Sequence, residues 1–451
     1  ARMHFLDQTG VCAPAGWRDG RLVPGTENQP VAGISWFEAN AYARFRGKSL
    51  PTITHWRRAA FCDQPGVMAT LSNFSSPQTA DVGTFPGIGN FDVYDLYGNV
   101  SEWCWNGDPS GKRVLLGGAY DDPNYHYVFP RLVSPWQRKD TCGFRCVEYS
   151  AEGEPTEAML SHVEARKPNV LPEERLPLQD VAQWYVYDRN LPLHATTIEE
   201  DSDDGFNDVF RHEVVEVDGP GARERLTLHL LIPREATQPL ESLIIVPGIG
   251  RYNASGTFSF NGKLEFAYSR DLASKGRAVC FPIFRGTFDR WAGMTLGKAF
   301  SQTPVTARND WVYVGQEISR TVDYLLTRDD IDPDKIMAFG ISNGANRLVM
   351  ALAVDDRIRA GVLLGGGYTR WHLKRPAICE YHFAPHVHQP VLMVNGLDDV
   401  IHTYDSSQIP LFEWLGSQEK RHVVFPAPHL PERQDVMTAT EDWLERVISN
   451  P

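Results

Sequence analysis

Lys335-Ile336-Met337-Ala338-Phe339-Gly340-Ile341-Ser342-Asn343-Gly344 decides how the larger part of this chain is read. Its first five residues form a short, mostly apolar run suited to a buried strand, and Asn343–Val354 follows with the composition of a helix. Between them lies G-x-S-x-G, so the pattern predicts strand, sharp turn and helix in immediate succession. Such a turn is too tight for side chains at the two glycine positions, and it leaves the Ser342 hydroxyl exposed above the sheet. The helix behind it presents unpaired N–H groups and the positive end of its dipole, which suit a developing oxyanion. The Asn343 N–H is the nearest donor. In a chain with 37 glycines the motif also arises by chance, so the flanking strand and helix carry the reading.

The alternation extends both ways from this point. His212–Val217 and Arg225–Ile232 read as strands joined by the hairpin signal Asp218-Gly219-Pro220-Gly221. Ser242–Val246, Ala278–Ile283, Ala360–Leu364, Val391–Val394 and Val423–Phe425 read as further strands. Leu264–Lys275, Asn309–Thr327, a segment near Ser406–Leu415 and Pro431–Ile448 read as helices. The second of these carries Trp311, Val314, Ile318, Val322 and Leu325 at helical spacing. The pattern predicts an α/β fold, a doubly wound, mostly parallel sheet with helices on both faces.

A serine is a weak nucleophile without a base, and the base needs an orienting carboxylate. Val391–Val394 runs into Asn395-Gly396-Leu397-Asp398-Asp399, a loop with two carboxylates, and Val423–Phe425 runs into Pro426-Ala427-Pro428-His429. Upstream, Val246-Pro247-Gly248-Ile249-Gly250 follows an early strand and offers the Ile249 N–H as a second oxyanion donor beside that of Asn343. Together these segments resemble the α/β-hydrolase superfamily, near its dienelactone-hydrolase and prolyl-oligopeptidase-like esterase branches, over about residues 180–451. The resemblance implies a triad of Ser342, Asp399 and His429, in the family's order of serine, acid and histidine. Asp399 is chosen over Asp398 because the family places the acid three residues after the glycine. It further implies acyl transfer to Ser342 and hydrolysis, with His429 as base and then acid, and no cofactor.

Arg285, Trp291 and Tyr368 are the candidate substrate-binding residues. Phe284–Trp291 follows a strand at the sheet edge where ligands bind in such folds, and a structural ion pair is the competing account of Arg285. His382-x3-His386-x-His388, with His372 nearby, lacks a completed set of ligands at defined spacing, so a polar loop near the site rim is expected there.

Residues 1–149 differ in character, being rich in Trp, Gly, Asn and Pro with few periodic stretches. A helix is readable from about Phe37 to Arg46, with Ser35 as N-cap and Phe37, Ala41 and Phe45 on one face. A second covers Thr54–Ala60. Five segments occur here in order: Pro30–Tyr42, Gly47-Lys48-Ser49-Leu50-Pro51-Thr52 with Trp56, Asp95–Trp103, Gly117-Gly118-Ala119-Tyr120, and Gly143-Phe144-Arg145-Cys146. In these segments the chain resembles the formylglycine-generating-enzyme-like (sulfatase-modifying-factor) family, which implies an irregular α+β domain related to C-type lectins. Active members carry a copper-binding cysteine pair just after the Gly-Gly-Ser/Ala segment. Here that stretch reads Tyr120-Asp121-Asp122-Pro123-Asn124-Tyr125-His126-Tyr127, so no thiolate copper site forms there and a catalytically silent domain is expected. Relatives also hold a structural calcium near the positions of Asn99 and Glu102, for which internal hydrogen bonding of a buried loop is the competing account. Residues 150–178, polar and punctuated by proline, read as a linker to a second domain at 179–451, whose first helix begins near Gln179 and includes Val181, Trp184 and Tyr185.

The bulk properties bound the function. Hydrophobic residues make up 42% of the 451 and charged residues 22%, which is ordinary globular composition. With 44 Lys and Arg against 57 Asp and Glu, the net charge of −13 argues against sequence-independent nucleic-acid binding. No apolar run reaches the roughly 18 residues of a membrane-spanning helix. The cysteines number seven, with no C-x-x-C pair, so free thiols in a reducing, cytoplasmic compartment are expected. The family's opening Pro-Ala-Gly-x-Phe-like segment is missing before His4. Exposed apolar surface is therefore expected near Phe5 and Trp17, completed by an N-terminal fragment or another subunit.

Taken together, the sequence predicts a serine esterase acting on a small-molecule acyl ester, fused to a silent accessory domain. A prolyl-oligopeptidase-like peptidase on the same triad is one alternative. A binding or regulatory module is the other. The two-domain arrangement resembles the C-terminal part of bacterial serine/threonine kinase fusions, although no kinase motif is present in these residues.

Overall fold

The computed structural model describes residues 13–18, 21–62, 65–122, 124–128, 130–150, 153–163, 171–172, 174–200, 209–221, 224–235, 239–248, 258, 264–290 and 304–449. The chain divides into two units, Ala1–Lys167 and Pro168–Pro451.

The second unit is built on one nine-stranded sheet. Its strands are β1 (Thr196–Glu200), β2 (Phe210–Asp218), β3 (Arg225–Pro233), β4 (Leu240–Val246), β5 (Ala278–Ile283), β6 (Ile331–Ile341), β7 (Gly361–Leu364), β8 (Val391–Gly396) and β9 (Lys420–Phe425). They lie in the order β9-β8-β7-β6-β4-β5-β3-β2-β1. From β5 to β9 every neighbouring pair is parallel. The pairings β5–β3, β3–β2 and β2–β1 are antiparallel. The sheet is therefore mixed, with a parallel half and an antiparallel edge. β1 was not legible as a strand, because its sequence Thr-Thr-Ile-Glu-Glu offers an edge position little apolar surface.

Helices cover both faces. α1 (Leu264–Ala273) and α4 (Arg433–Ser449) pack on one side, α2 (Pro304–Leu325) and α3 (Asn343–Val354) on the other. Successive residues of a strand point to opposite faces, and here both faces are buried. In β6, Ile336 and Ala338 enter the core under α2 and α3, while Met337 and Phe339 enter the core under α1 and α4. That double burial is why the parallel strands read as continuous apolar runs rather than alternating ones. Trp311, Val314, Ile318, Val322 and Leu325 of α2 are all buried, as their spacing predicts. The segment expected as one helix near Ser406–Leu415 is a π-helical turn, Tyr404–Gln408, leading into Ile409–Trp414.

In the first unit the sheet has four strands in the order Arg131–Val133, Arg113–Leu116, Ser101–Gly107, Cys142–Gly143. Three of its tryptophans are tied down at both ends of the ring, the apolar body in the core and the indole N–H on an acceptor. Trp36 donates to Cys104 O at 2.8 Å, Trp103 to Ile34 O at 2.9 Å and Trp56 to Glu102 Oε2 at 2.7 Å. The helix Trp36–Phe45 starts at Ser35, whose hydroxyl accepts from Glu38 N while the Glu38 carboxylate accepts from Ser35 N. This reciprocal capping fixes the helix start. The core-facing side of this helix is not the one that carries Ala41 and Phe45. Trp36, Ala39 and Ala43 face the core, whereas Phe45 is 84% exposed and Ala41 is exposed as well. Trp36 is the largest apolar residue of the helix and its hydrogen bond to Cys104 sets the rotation, so the small alanines beside it take the close contacts.

The stretch read as a linker is in part attached to this first unit. Met159 and Ser161 carbonyls accept from Asn106 Nδ2, and Val163 packs against the core around Trp56. Leu171 and Leu178 instead pack on the second unit's core.

Candidate active site

The parallel half of the sheet brings its strand ends to one level. Val246 pairs with Gly340, Ile341 with Leu364, Leu364 with Val394 and Gly396 with Phe425. The loops that leave these ends carry Ser342, Asp399 and His429. Ser342 sits at φ 53° and ψ −116°, a strained position for a side-chain-bearing residue. Its N–H is held by Leu364 O at 2.7 Å and its carbonyl by Asn346 N. Gly344 is required by close approach, since a Cβ there would lie 2.0 Å from Val246 O. The elbow therefore presses directly on the end of β4, from which the Val246-Pro247-Gly248 segment departs.

The three side chains form one hydrogen-bonded line. His429 Nε2 lies 2.7 Å from Ser342 Oγ, and His429 Nδ1 lies 2.7 Å from Asp399 Oδ2. The other Asp399 oxygen accepts from Ile401 N at 2.7 Å and His402 N at 3.0 Å. Asp399 and His429 are almost fully buried, while Ser342 keeps partial exposure. Burial by itself would raise the Asp399 carboxyl. The neighbouring His429 charge, the hydrogen bond to it and the donors of residue 402 outweigh burial and hold the group below the usual carboxylate range. Asp398 takes no part in this line. Its backbone N–H donates to Ala427 O, tying the acid loop to the histidine loop.

Asn343 is the first residue of α3, so its N–H has no acceptor within the helix and stands beside Ser342. Ile249 and Trp291 lie outside the described residues. Arg285 is exposed; its guanidinium lies 5.0 Å from the centre of the Tyr313 ring, and its backbone N–H donates to Glu317 Oε2 at 3.0 Å. The ion pair at this turn belongs to Arg290, which reaches the fully buried Glu317 at 2.6 Å and Glu224 at 3.1 Å. Burial raises the Glu317 carboxyl, and Arg290 offsets that only in part. Tyr368, expected at the substrate, is a core residue: it is 5% exposed, with Trp414 4.9 Å from its ring. Trp414 in turn stands 5.0 Å from the Tyr381 ring.

Two buried polar groups at the site have contacts that the sequence does not show. His402 is 5% exposed, its ring centre 5.9 Å from that of His429, and burial pushes its imidazole down to about 4. Its Nδ1 bonds Ser407 Oγ at 3.2 Å, and Ser407 Oγ donates to Tyr368 O. Glu380, fully buried, accepts from Asn346 Nδ2 at 2.6 Å and pairs with His372 Nδ1 at 2.9 Å. These contacts join the segment between β7 and β8 to the helix behind Ser342. The histidine-rich stretch is thus divided among separate partners, with His382 Nδ1 accepting from Leu176 N. Among the described residues no group of three or more potential metal ligands gathers.

In the first unit, Asn99 and Glu102 are both engaged in hydrogen bonds. Asn99 Oδ1 accepts from Asn73 Nδ2 and Ala80 N, and its Nδ2 donates to Ala80 O. Both Glu102 oxygens accept from Arg145 at 2.6 Å, and one also accepts from Trp56. Asp122, which stands just after Gly117-Gly118-Ala119, accepts from Ala119 N at 2.8 Å, pairs with His126 at 3.0 Å and lies 3.4 Å from Arg131. Cys62, Cys104, Cys142, Cys146, Cys280 and Cys379 are free thiols, and Cys12 lies outside the described residues.

A nucleophile elbow between β6 and α3, an acid after β8 and a histidine after β9, on a sheet of this order, define the second unit as an α/β-hydrolase fold. Residues 3–150 match the sulfatase-modifying factor enzyme 1-like domain family, so the chain carries a domain of that family ahead of the hydrolase fold. A serine/threonine-protein kinase pkn1 of Chlamydia pneumoniae is 32% identical over 165 residues, covering 29% of this chain and 26% of that protein. An inactive C-alpha-formylglycine-generating enzyme 2 of Mus musculus is 31% identical over 159 residues, covering 28% of this chain and 51% of that protein. The chain thus spans about a quarter of the kinase and half of the mouse protein. Among solved structures, acetyl xylan esterase 1 from Thermoanaerobacterium sp. JW/SL YS485 superimposes with a TM-score of 0.48 at 16% identity, covering 61% of this chain and 95% of that one. A glucuronoyl esterase from Solibacter usitatus gives 0.41 at 13% identity, covering 59% and 90%.

Proposed function

We propose that the second unit is a serine hydrolase cleaving carboxylic esters of small molecules, and that the first unit is a catalytically silent accessory module. The observation that carries the first reading is the continuous line from Ser342 Oγ through His429 to Asp399, both bonds 2.7 Å, at aligned strand ends. In this reading Ser342 Oγ attacks the ester carbonyl carbon as its proton passes to His429 Nε2. Asp399 holds the Nδ1–H tautomer of His429 and stabilises the imidazolium that forms. The tetrahedral oxyanion is met by the Asn343 N–H, with the Ile249 N–H proposed as the second donor. Collapse breaks the ester C–O bond, and the imidazolium protonates the departing alkoxide. A water then attacks the acyl-Ser342 carbonyl with His429 again as base, releasing the acid and restoring the serine. No cofactor is called for by these steps.

Silence of the first unit is supported by the absence of cysteine from Tyr120–Tyr127 and by the engagement of Asp122 with Ala119, His126 and Arg131. The free thiols favour a reducing compartment, for which we propose the cytoplasm. Hydrolysis of p-nitrophenyl acyl esters by the wild-type chain and Ser342→Ala tests the esterase reading. Loss of nearly all activity in the variant is the expected result, and equal rates overturn it. Cleavage of aminoacyl-naphthylamides with esters untouched would move the assignment to a peptidase.

A further inference from the structure

Arg347 lies on the helix that carries the oxyanion donor, one turn beyond Asn343, and is 7% exposed. Its Nε donates to Asn343 Oδ1 at 2.9 Å, and its guanidinium carbon sits 4.7 Å from the centre of the buried Trp311 ring. Trp311 meets the edge of His372 on the way to Glu380, their ring centres 4.5 Å apart at 78°. The guanidinium is therefore held in place by packing as well as by its hydrogen bond.

The chemistry of asparagine at this position gives the contact a consequence. Asparagine side chains readily accept from their own or neighbouring backbone N–H groups. Here the Asn343 N–H must remain open, since it is the proposed oxyanion donor on α3. A carboxamide free to rotate at residue 343 would compete with the substrate oxyanion for the Asn343 N–H.

We propose that Arg347 is a positioning residue of the oxyanion hole: by engaging Asn343 Oδ1 it keeps that carboxamide off the Asn343 N–H that receives the oxyanion. This rests on the serine-hydrolase reading and goes beyond it, because it assigns a role to a residue that touches neither substrate nor the triad. It acts on the transition state more than on substrate binding, so kcat carries the effect and KM changes little.

The test is a double-mutant cycle on the full chain, with p-nitrophenyl acetate as substrate. Arg347→Met should lower kcat roughly 5- to 10-fold when residue 343 is Asn, with KM changed less than about twofold. In an Asn343→Ala background the same Arg347→Met step should change kcat less than about twofold, because no carboxamide remains to compete. Thermal unfolding of all four proteins reports loss of the Trp311 packing separately, and that loss should be equal in both backgrounds. An Arg347 effect on kcat of the same size in both backgrounds overturns the proposal, as does an effect confined to KM. Wild-type chain lacking Ser342-dependent hydrolysis would instead refute the underlying reading, so the two failures are distinguishable.

Discussion

Gly396→Ala should abolish most of the activity although residue 396 touches no reacting atom. Gly396 ends β8 opposite Phe425 of β9, where the acid loop and the histidine loop part. The two loops are laced together by Leu397 N to Phe425 O at 2.8 Å and Asp398 N to Ala427 O at 3.0 Å. A Cβ on residue 396 would lie 1.6 Å from Pro428 O and 2.4 Å from Ala427 O, against ordinary contact from 3.4 Å. The nearer clash involves backbone, so no side-chain rotation relieves it, and the loop must retreat by well over an ångström. His429 is the next residue after Pro428, and its Nε2 now sits 2.7 Å from Ser342 Oγ. A misplacement of about 1 Å in a reacting group costs on the order of 100-fold in rate. Overpacking of this kind also destabilises a fold by about 1–3 kcal/mol. The assay is kcat on p-nitrophenyl acetate beside thermal unfolding, with Gly221→Ala as control, where an added Cβ meets nothing within 4 Å. A kcat reduced about 100-fold or more in a folded Gly396→Ala protein, with Gly221→Ala unaffected, is expected. A folded Gly396→Ala protein with kcat within threefold of wild type would refute the reasoning.

Three further outcomes are expected. Asp399→Asn should lower kcat by roughly 10³- to 10⁴-fold while leaving the fold intact, because an amide at this position no longer selects the Nδ1–H tautomer of His429; steady-state kinetics with a circular-dichroism control measures it. Asp355, 1% exposed at the end of α3, has its carboxyl raised by burial but lowered more strongly by the bonds and charge of Arg357, leaving it below the usual range. A depressed carboxyl contributes stability that is fully present above its unfolded pKa of about 3.9 and lost as pH falls through the folded value. Asp355→Asn should therefore be less stable than wild type by about 2–4 kcal/mol at pH 7, and urea titrations should show the gap narrowing below about pH 4. Arg145→Met should destabilise the first unit by about 3–5 kcal/mol, seen as a lowered melting transition, because it strands the buried Glu102 carboxylate.

The parts of this molecule that were legible in the sequence are those set by local rules. G-x-S-x-G between an apolar run and a helix placed Ser342, since the tight turn and the helix start are both encoded within ten residues. Asp399 and His429 were legible because each sits in the loop that leaves a strand. Asp398 and Asp399 differ only through backbone geometry, which hands one carboxylate to His429 and leaves the other in its loop. What escaped was set by contacts between distant segments. Glu380 meets Asn346, and His372 meets Glu380, only because β7 leads its following segment back over α3. His402 reaches the His429 ring through the loop between β8 and the π-helical turn. The helix at Trp36–Phe45 is legible from its N-cap and spacing, but the face it buries is not. Three phenylalanine and alanine positions at helical spacing suggested one stripe, and the anchoring of Trp36 to Cys104 turned another inward. Tyr368 had the composition of a pocket residue, but only packing against Trp414 decides that it lies in the core.

The central claim is that Ser342 is a nucleophile activated by His429. A fluorophosphonate probe reports this without knowledge of the natural substrate, since only an activated serine displaces fluoride and keeps the phosphonyl group. Intact-mass analysis of the labelled chain followed by peptide mapping should find one adduct, on Ser342, formed at least about 100-fold more slowly in His429→Ala. A folded protein that takes up no label, or that carries it on a different residue, would contradict the account.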